Sequence, residues 1–105
     1  MPQNLMASPG DNEAMLSWDS VVEEREEAFV GYNVYRSTTS GSSYAFVAAI
    51  TGDETMYTDT GLDNSQMYYY VVTSQYEATE SAYSNEASAP RMEFIQLRMS
   101  DGEGI

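Results

Sequence analysis

Residues 62–74 read LDNSQMYYYVVTS, and the second half of that stretch decides the fold. After a turn-rich lead-in, Met67-Tyr68-Tyr69-Tyr70-Val71-Val72-Thr73 is rich in aromatic and β-branched residues, which suit a pleated, half-buried surface. Side chains alternate along a strand, so Tyr68, Tyr70 and Val72 face one side while Tyr69, Val71 and Thr73 face the other. Both sides carry bulk. Such a strand belongs inside a sheet and not at its edge, and it reads as the core strand of a small β-sandwich.

Working outward, strand signals recur with turn signals between them, at about the 8–12-residue spacing of a sandwich. Residues 4–7 form a first candidate, closed by Ser8-Pro9-Gly10-Asp11, a strong turn cluster. In residues 13–19, Ala14, Leu16 and Trp18 alternate with Met15, Ser17 and Asp19. The glutamate-rich residues 21–28 suggest a solvated loop. Residues 29–37 form a third strand, with Val30, Tyr32 and Val34 on one side and Asn33 and Tyr35 on the other. Residues 44–50 are apolar throughout and their parity is ambiguous. Residues 55–59 follow, then the core strand, a polar loop over 76–81, and a last strand over 83–89 ending at Pro90. The pattern predicts an all-β fold, a seven-stranded antiparallel immunoglobulin-like β-sandwich with Greek-key connections.

Composition bounds the function. The chain has 105 residues, enough for one core and not for two. It carries 17 acidic residues against 4 basic ones, net −13, with no histidine and no cysteine. A surface this acidic repels phosphates and anionic lipid, so neither nucleic acid nor membrane is an expected partner. The missing cysteines exclude disulfides and thiolate metal sites. No apolar run is long enough for a transmembrane helix, and the first residues lack the pattern of a signal peptide.

Several spaced landmarks resemble the fibronectin type III family, in its bacterial and phage-type members. They are Pro2, Leu5, Ala7 and Gly10; Leu16 and Trp18; GYNVYRS over residues 31–37; Thr55, Tyr57, Asp59 and Leu62; Tyr68, six residues after Leu62; and SAYSNEASA over residues 81–89. The resemblance covers residues 1–90 and leaves residues 91–105 as a C-terminal extension. It implies a tyrosine corner at Tyr68, with the ring in the core and the hydroxyl bonded to backbone upstream. Trp18, Tyr32, Tyr57, Tyr70 and Val72 would then fill the space between the sheets. No RGD tripeptide occurs, so integrin binding has no support.

Without histidine or cysteine, most acid–base and nucleophile arrangements are gone, and a small sandwich offers no deep pocket. The expectation is a non-enzyme with no cofactor. Oxygen ligands for calcium are best supplied by Asp11 and Glu13, or by Asp53 and Asp59, but neither set has the spacing of a dedicated loop, and solvated surface charge is the plainer reading. Tyr35, Tyr69 and Tyr83 line the outer face of the sheet holding strands three, six and seven. That face could bind sugar or protein, or simply pair side chains across strands. In the tail, Phe94, Ile95, Leu97 and Met99 could add a strand to a neighbouring sheet edge, or begin a further domain.

Two roles follow. The first is a non-catalytic subunit of a larger assembly, in a virion (capsid decoration or tail) or an extracellular filament, contacting other subunits through a sheet edge or the tail. The initiator-like Met1, the missing signal peptide and the apolar tail favour it. The alternative is a spacer or accessory module of a secreted bacterial carbohydrate-active enzyme or adhesin. Either role is extracellular or virion-borne.

Overall fold

The computed structural model describes residues 1–21 and 28–90. Seven strands form: β1 (Met6–Gly10), β2 (Glu13–Ser17), β3 (Phe29–Ser37), β4 (Ala45–Thr51), β5 (Met56–Thr60), β6 (Tyr68–Tyr76) and β7 (Ala87–Ala89). They build a three-stranded sheet, β1-β2-β5, and a four-stranded sheet, β4-β3-β6-β7, with every pairing antiparallel. The chain crosses between sheets at β2–β3, β4–β5 and β5–β6. Leu5, Ala14, Leu16 and Trp18 from one side meet Tyr32, Val34, Tyr70, Val72 and Ala89 from the other in one buried cluster. Trp18 and Tyr32 meet edge-on at 5.3 Å, and Tyr57 packs against the same cluster.

The core strand is β6. It lies between β3 and β7, and Tyr70, Val71, Val72, Thr73 and Ser74 are all buried, so bulk on both faces did mean an interior position. Where it enters the sheet, the Asp63 amide donates to the Tyr68 hydroxyl at 3.0 Å, closing the tyrosine corner. The lead-in is fixed from the far side of the sandwich. Asn12, in the left-handed conformation with φ 58°, donates through Nδ2 to the Leu62 carbonyl at 2.7 Å, and its own carbonyl accepts from the Leu62 amide.

Three local expectations are corrected. Ser8, Pro9 and Gly10 continue β1, and the turn falls on Asp11 and Asn12. Pro9 is tolerated because β1 is an edge strand, where a missing N–H removes no ladder bond. Val30 does not face the core. It is the extra residue of a bulge between Phe29 and Gly31, 42% exposed, and Phe29 packs on the core instead, edge-on to Tyr32 and Tyr76. The last strand is shorter than residues 83–89. Residues 80–84 run beside β6 through separate bonds, from the Ser81 amide to the Ser74 carbonyl and from the Ser84 amide to the Val72 carbonyl, both at 2.9 Å.

Candidate functional site

The outer face of the four-stranded sheet holds a continuous row of aromatic rings. Opposed residues in a ladder share a face, so Tyr35 on β3 lies between Phe46 on β4 and Val71 on β6. The Phe46 and Tyr35 rings meet at 6.0 Å, Tyr35 and Tyr83 at 5.5 Å, and Tyr83 and Tyr44 at 5.3 Å. Phe46 is 59% exposed and Tyr83 48%. Phe46 joins this row because of a bulge: Val34 pairs with Ala48 and Tyr35 with Phe46, leaving Val47 as the extra residue on β4. Val47 and Ile50 still pack against the core. The bulge is why the parity of residues 44–50 could not be read by simple alternation.

Two carboxylates are set into the row. Glu80 follows β6 and bridges back to Gln75. Its Oε2 accepts from Thr73 Oγ1 at 2.6 Å, from Asn33 Nδ2 at 3.2 Å and from the Tyr35 hydroxyl. Desolvation raises the Glu80 pKa, but the donors Thr73, Tyr35 and Asn33 outweigh it and hold the group below the ordinary carboxylate range. Glu86 ties down the β3–β4 loop: Oε1 accepts from the Tyr44 hydroxyl and the Gly41 amide, and Oε2 from Ser40 Oγ. The Tyr44 bond leads the causes that lower its pKa. Burial, followed by these carboxylate bonds, pushes both Tyr35 and Tyr44 up to about 12. Tyr35, Thr73 and residues 80–83 line an open groove between the rings and the carboxylate.

Of the sequence candidates, Tyr35 and Tyr83 meet in this row. Tyr69 shares their face, opposite Ser37 and Ser88, but its hydroxyl turns to Met67 Sδ at 3.5 Å. Tyr44, Phe46, Glu80 and Glu86 were not anticipated; the apolar run over residues 44–50 carried the signal, hidden by the bulge. Phe94, Ile95, Leu97 and Met99 lie outside the described residues.

The calcium candidates occupy different places. Asp11 accepts from Asn64 Nδ2 at 2.9 Å on one hairpin, and Glu13 sits at the start of β2 beside Gly10. Asp53 accepts from the Tyr32 hydroxyl and from Ser20 Oγ, both at 2.7 Å. Asp59 is buried, paired with Arg36 at 2.7 Å and accepting from the Tyr70 hydroxyl at 2.8 Å. Among the described residues, no group of three or more such side chains could hold a metal ion.

The fibronectin type III model matches residues 1–90, the span of the whole described sandwich. The chain belongs to the fibronectin type III family. It is 41% identical over 87 residues to an amylopullulanase of Thermoanaerobacter thermohydrosulfuricus, a match covering 82% of this chain and 6% of that enzyme. A solved Fn3-like protein from Clostridium thermocellum is 36% identical with a TM-score of 0.72, covering 84% of this chain and 88% of that one. A pectate lyase from Pectobacterium carotovorum is 27% identical with a TM-score of 0.68, covering 83% of this chain and 26% of that one. The chain spans 4–6% of the length of the amylopullulanases it matches.

Proposed function

We propose that this fibronectin type III sandwich is a non-catalytic accessory or spacer module of an extracellular carbohydrate-active enzyme. The observation that carries the reading is the 41% identity to a segment of an amylopullulanase, over 82% of the chain. The virion role expected from the sequence has no such support. The geometry is compatible with a module that does no chemistry itself. Asp53 and Asp59 are spoken for by Tyr32, Ser20, Arg36 and Tyr70, so they are not a free acid–base pair. The outer aromatic row, with Phe46 and Tyr83 exposed, offers a surface for contacts with other molecules.

Two measurements test this. The reading frame around the chain is expected to encode a polysaccharide-degrading catalytic domain; virion structural genes flanking a free-standing frame would overturn the reading. The purified chain, incubated with pullulan and soluble starch, is expected to release no reducing sugar above a protein-free blank. Release that survives repurification would overturn the non-catalytic assignment.

A further inference from the structure

We propose that the outer aromatic face binds arginine side chains of a partner protein, with a guanidinium seated against Tyr35, Tyr83 and the Glu80 carboxylate. The accessory reading leaves the partner of this face open, and the proposal is tested on the chain alone, so either can fail without the other. The first support is the carboxylate. Thr73, Asn33 and Tyr35 all donate to Oε2 of Glu80, and among the described residues no donor reaches Oε1. Glu80 is exposed, so an anionic oxygen is held in fixed geometry at the surface. The second is the setting of that oxygen. Tyr35 and Tyr83 meet at a tilt of 57° on the same open groove, and Phe46 extends the ring surface with 59% of its area exposed.

The third support is charge. The chain has 17 acidic residues and 4 basic ones, so its field draws cations and repels anions. Arg36, the one basic side chain among the described residues, is committed to Asp59 on the inner side of the sheet, so none of them supplies a cation to Glu80. Arginine fits better than lysine: its planar guanidinium stacks on a tyrosine ring while its N–H fork reaches a carboxylate, and it is less strongly hydrated than an ammonium. A neutral sugar would gain stacking on the rings but nothing from the field.

Titration of the isotope-labelled chain with a hexa-arginine peptide, followed by amide chemical shifts, reads both site and affinity. The expected shifts concentrate at Asn33, Tyr35, Thr73 and residues 80–83, with weaker binding of hexa-lysine and no shift at these amides with maltohexaose. Glu80→Gln keeps an acceptor for the three donors but removes the charge, and should weaken binding roughly tenfold; Tyr83→Ala should weaken it severalfold. Glu54→Gln, the same charge change on an exposed residue elsewhere, should leave affinity within about twofold. The proposal is overturned if shifts spread over the acidic surface and Glu54→Gln weakens binding as much as Glu80→Gln. It is also overturned if maltohexaose moves these amides and the peptide does not. Should Glu80→Gln fail to fold, Tyr83→Ala decides, since the Tyr83 ring is half exposed and takes no part in the Glu80 hydrogen bonds.

Discussion

Tyr68 and Tyr70 are two residues apart on one strand and face the same core, yet their hydroxyls do different work. Tyr70 donates at 2.8 Å to Asp59, which is 3% exposed and ion-paired with Arg36. Removing that hydroxyl leaves a buried carboxylate with one donor fewer, and hydrogen bonds to charged groups are worth about 1.5–3 kcal/mol. Tyr68 accepts at 3.0 Å from the amide of Asp63, an exposed residue that water can serve instead. Its ring also lies 5.5 Å from the Arg36 guanidinium, a contact that phenylalanine would keep in large part. Tyr70→Phe should therefore cost about 2 kcal/mol and Tyr68→Phe about 1 kcal/mol or less, read from urea unfolding midpoints at constant slope. The reverse order would mean that the corner, not the buried ion pair, anchors this strand. Asp59→Ala should cost more than either, about 3 kcal/mol, because it strands both the Tyr70 hydroxyl in the core and the Arg36 guanidinium.

At the scale of the element, β3 and β4 show how close two strands can be drawn when one residue has no side chain. A Cβ on Gly31 would lie 2.0 Å from the Ile50 carbonyl oxygen, a backbone atom that cannot rotate away. Gly31 pairs with Thr51 just before the Gly52 amide bonds the Val30 carbonyl at 2.8 Å. Gly31→Ala should force the end of this ladder apart at a cost of about 3 kcal/mol. Amide exchange should then quicken at residues 50–52 first; an unchanged exchange rate there would contradict the close approach. The sequence foretold the seven strands because each alternates or is bounded by turn residues, and the resemblance to the fibronectin type III family implied the corner, through the family's separation of Leu62 and Tyr68. It did not foretell the two bulges. An extra residue shifts the face of everything beyond it, so Val30 left the core and Phe46 joined the outer row without any change of composition to announce it. The candidate site was half legible for the same reason. Tyr35 followed from parity, whereas Phe46 depended on a bulge, and Tyr44, Tyr83, Glu80 and Glu86 lie outside the strands on paths that no periodicity encodes.

Across the whole molecule, an acidic chain with four basic residues and no histidine must satisfy its carboxylates by some means other than salt bridges. It uses tyrosine hydroxyls: Tyr32 donates to Asp53, Tyr35 to Glu80, Tyr44 to Glu86 and Tyr70 to Asp59. Burial first, and the carboxylate second, raises the pKa of all four phenols above the ordinary 10.0, with Tyr35 and Tyr44 pushed up to about 12. A folded-state pKa above the unfolded value means that the fold favours the protonated phenol. The resulting stability is complete below pH 10 and is lost as pH rises toward 12. The carboxylate side has the opposite sign. Asp53, Glu80 and Glu86 sit below their ordinary 3.8 and 4.5, so their contribution is complete above those values and is lost as pH falls below them, through the lower folded-state values. Urea midpoints should thus be level from about pH 5.5 to about pH 9 and fall on both sides. Salt acts separately: screening the self-repulsion of a net charge of −13 should raise the whole plateau without moving its edges. The alkaline edge is the discriminating one, since lysine is absent and the remaining bases are arginines, which stay charged throughout this range. Tyr35→Phe and Tyr44→Phe, alone and together, should each remove part of the fall between pH 10 and 12 while leaving the acid limb in place. The part of the tyrosinate absorbance that Tyr35→Phe and Tyr44→Phe remove should rise in the same interval. A midpoint that stays level to pH 12 in the parent chain would show that these hydroxyls do not hold the carboxylates in the folded state.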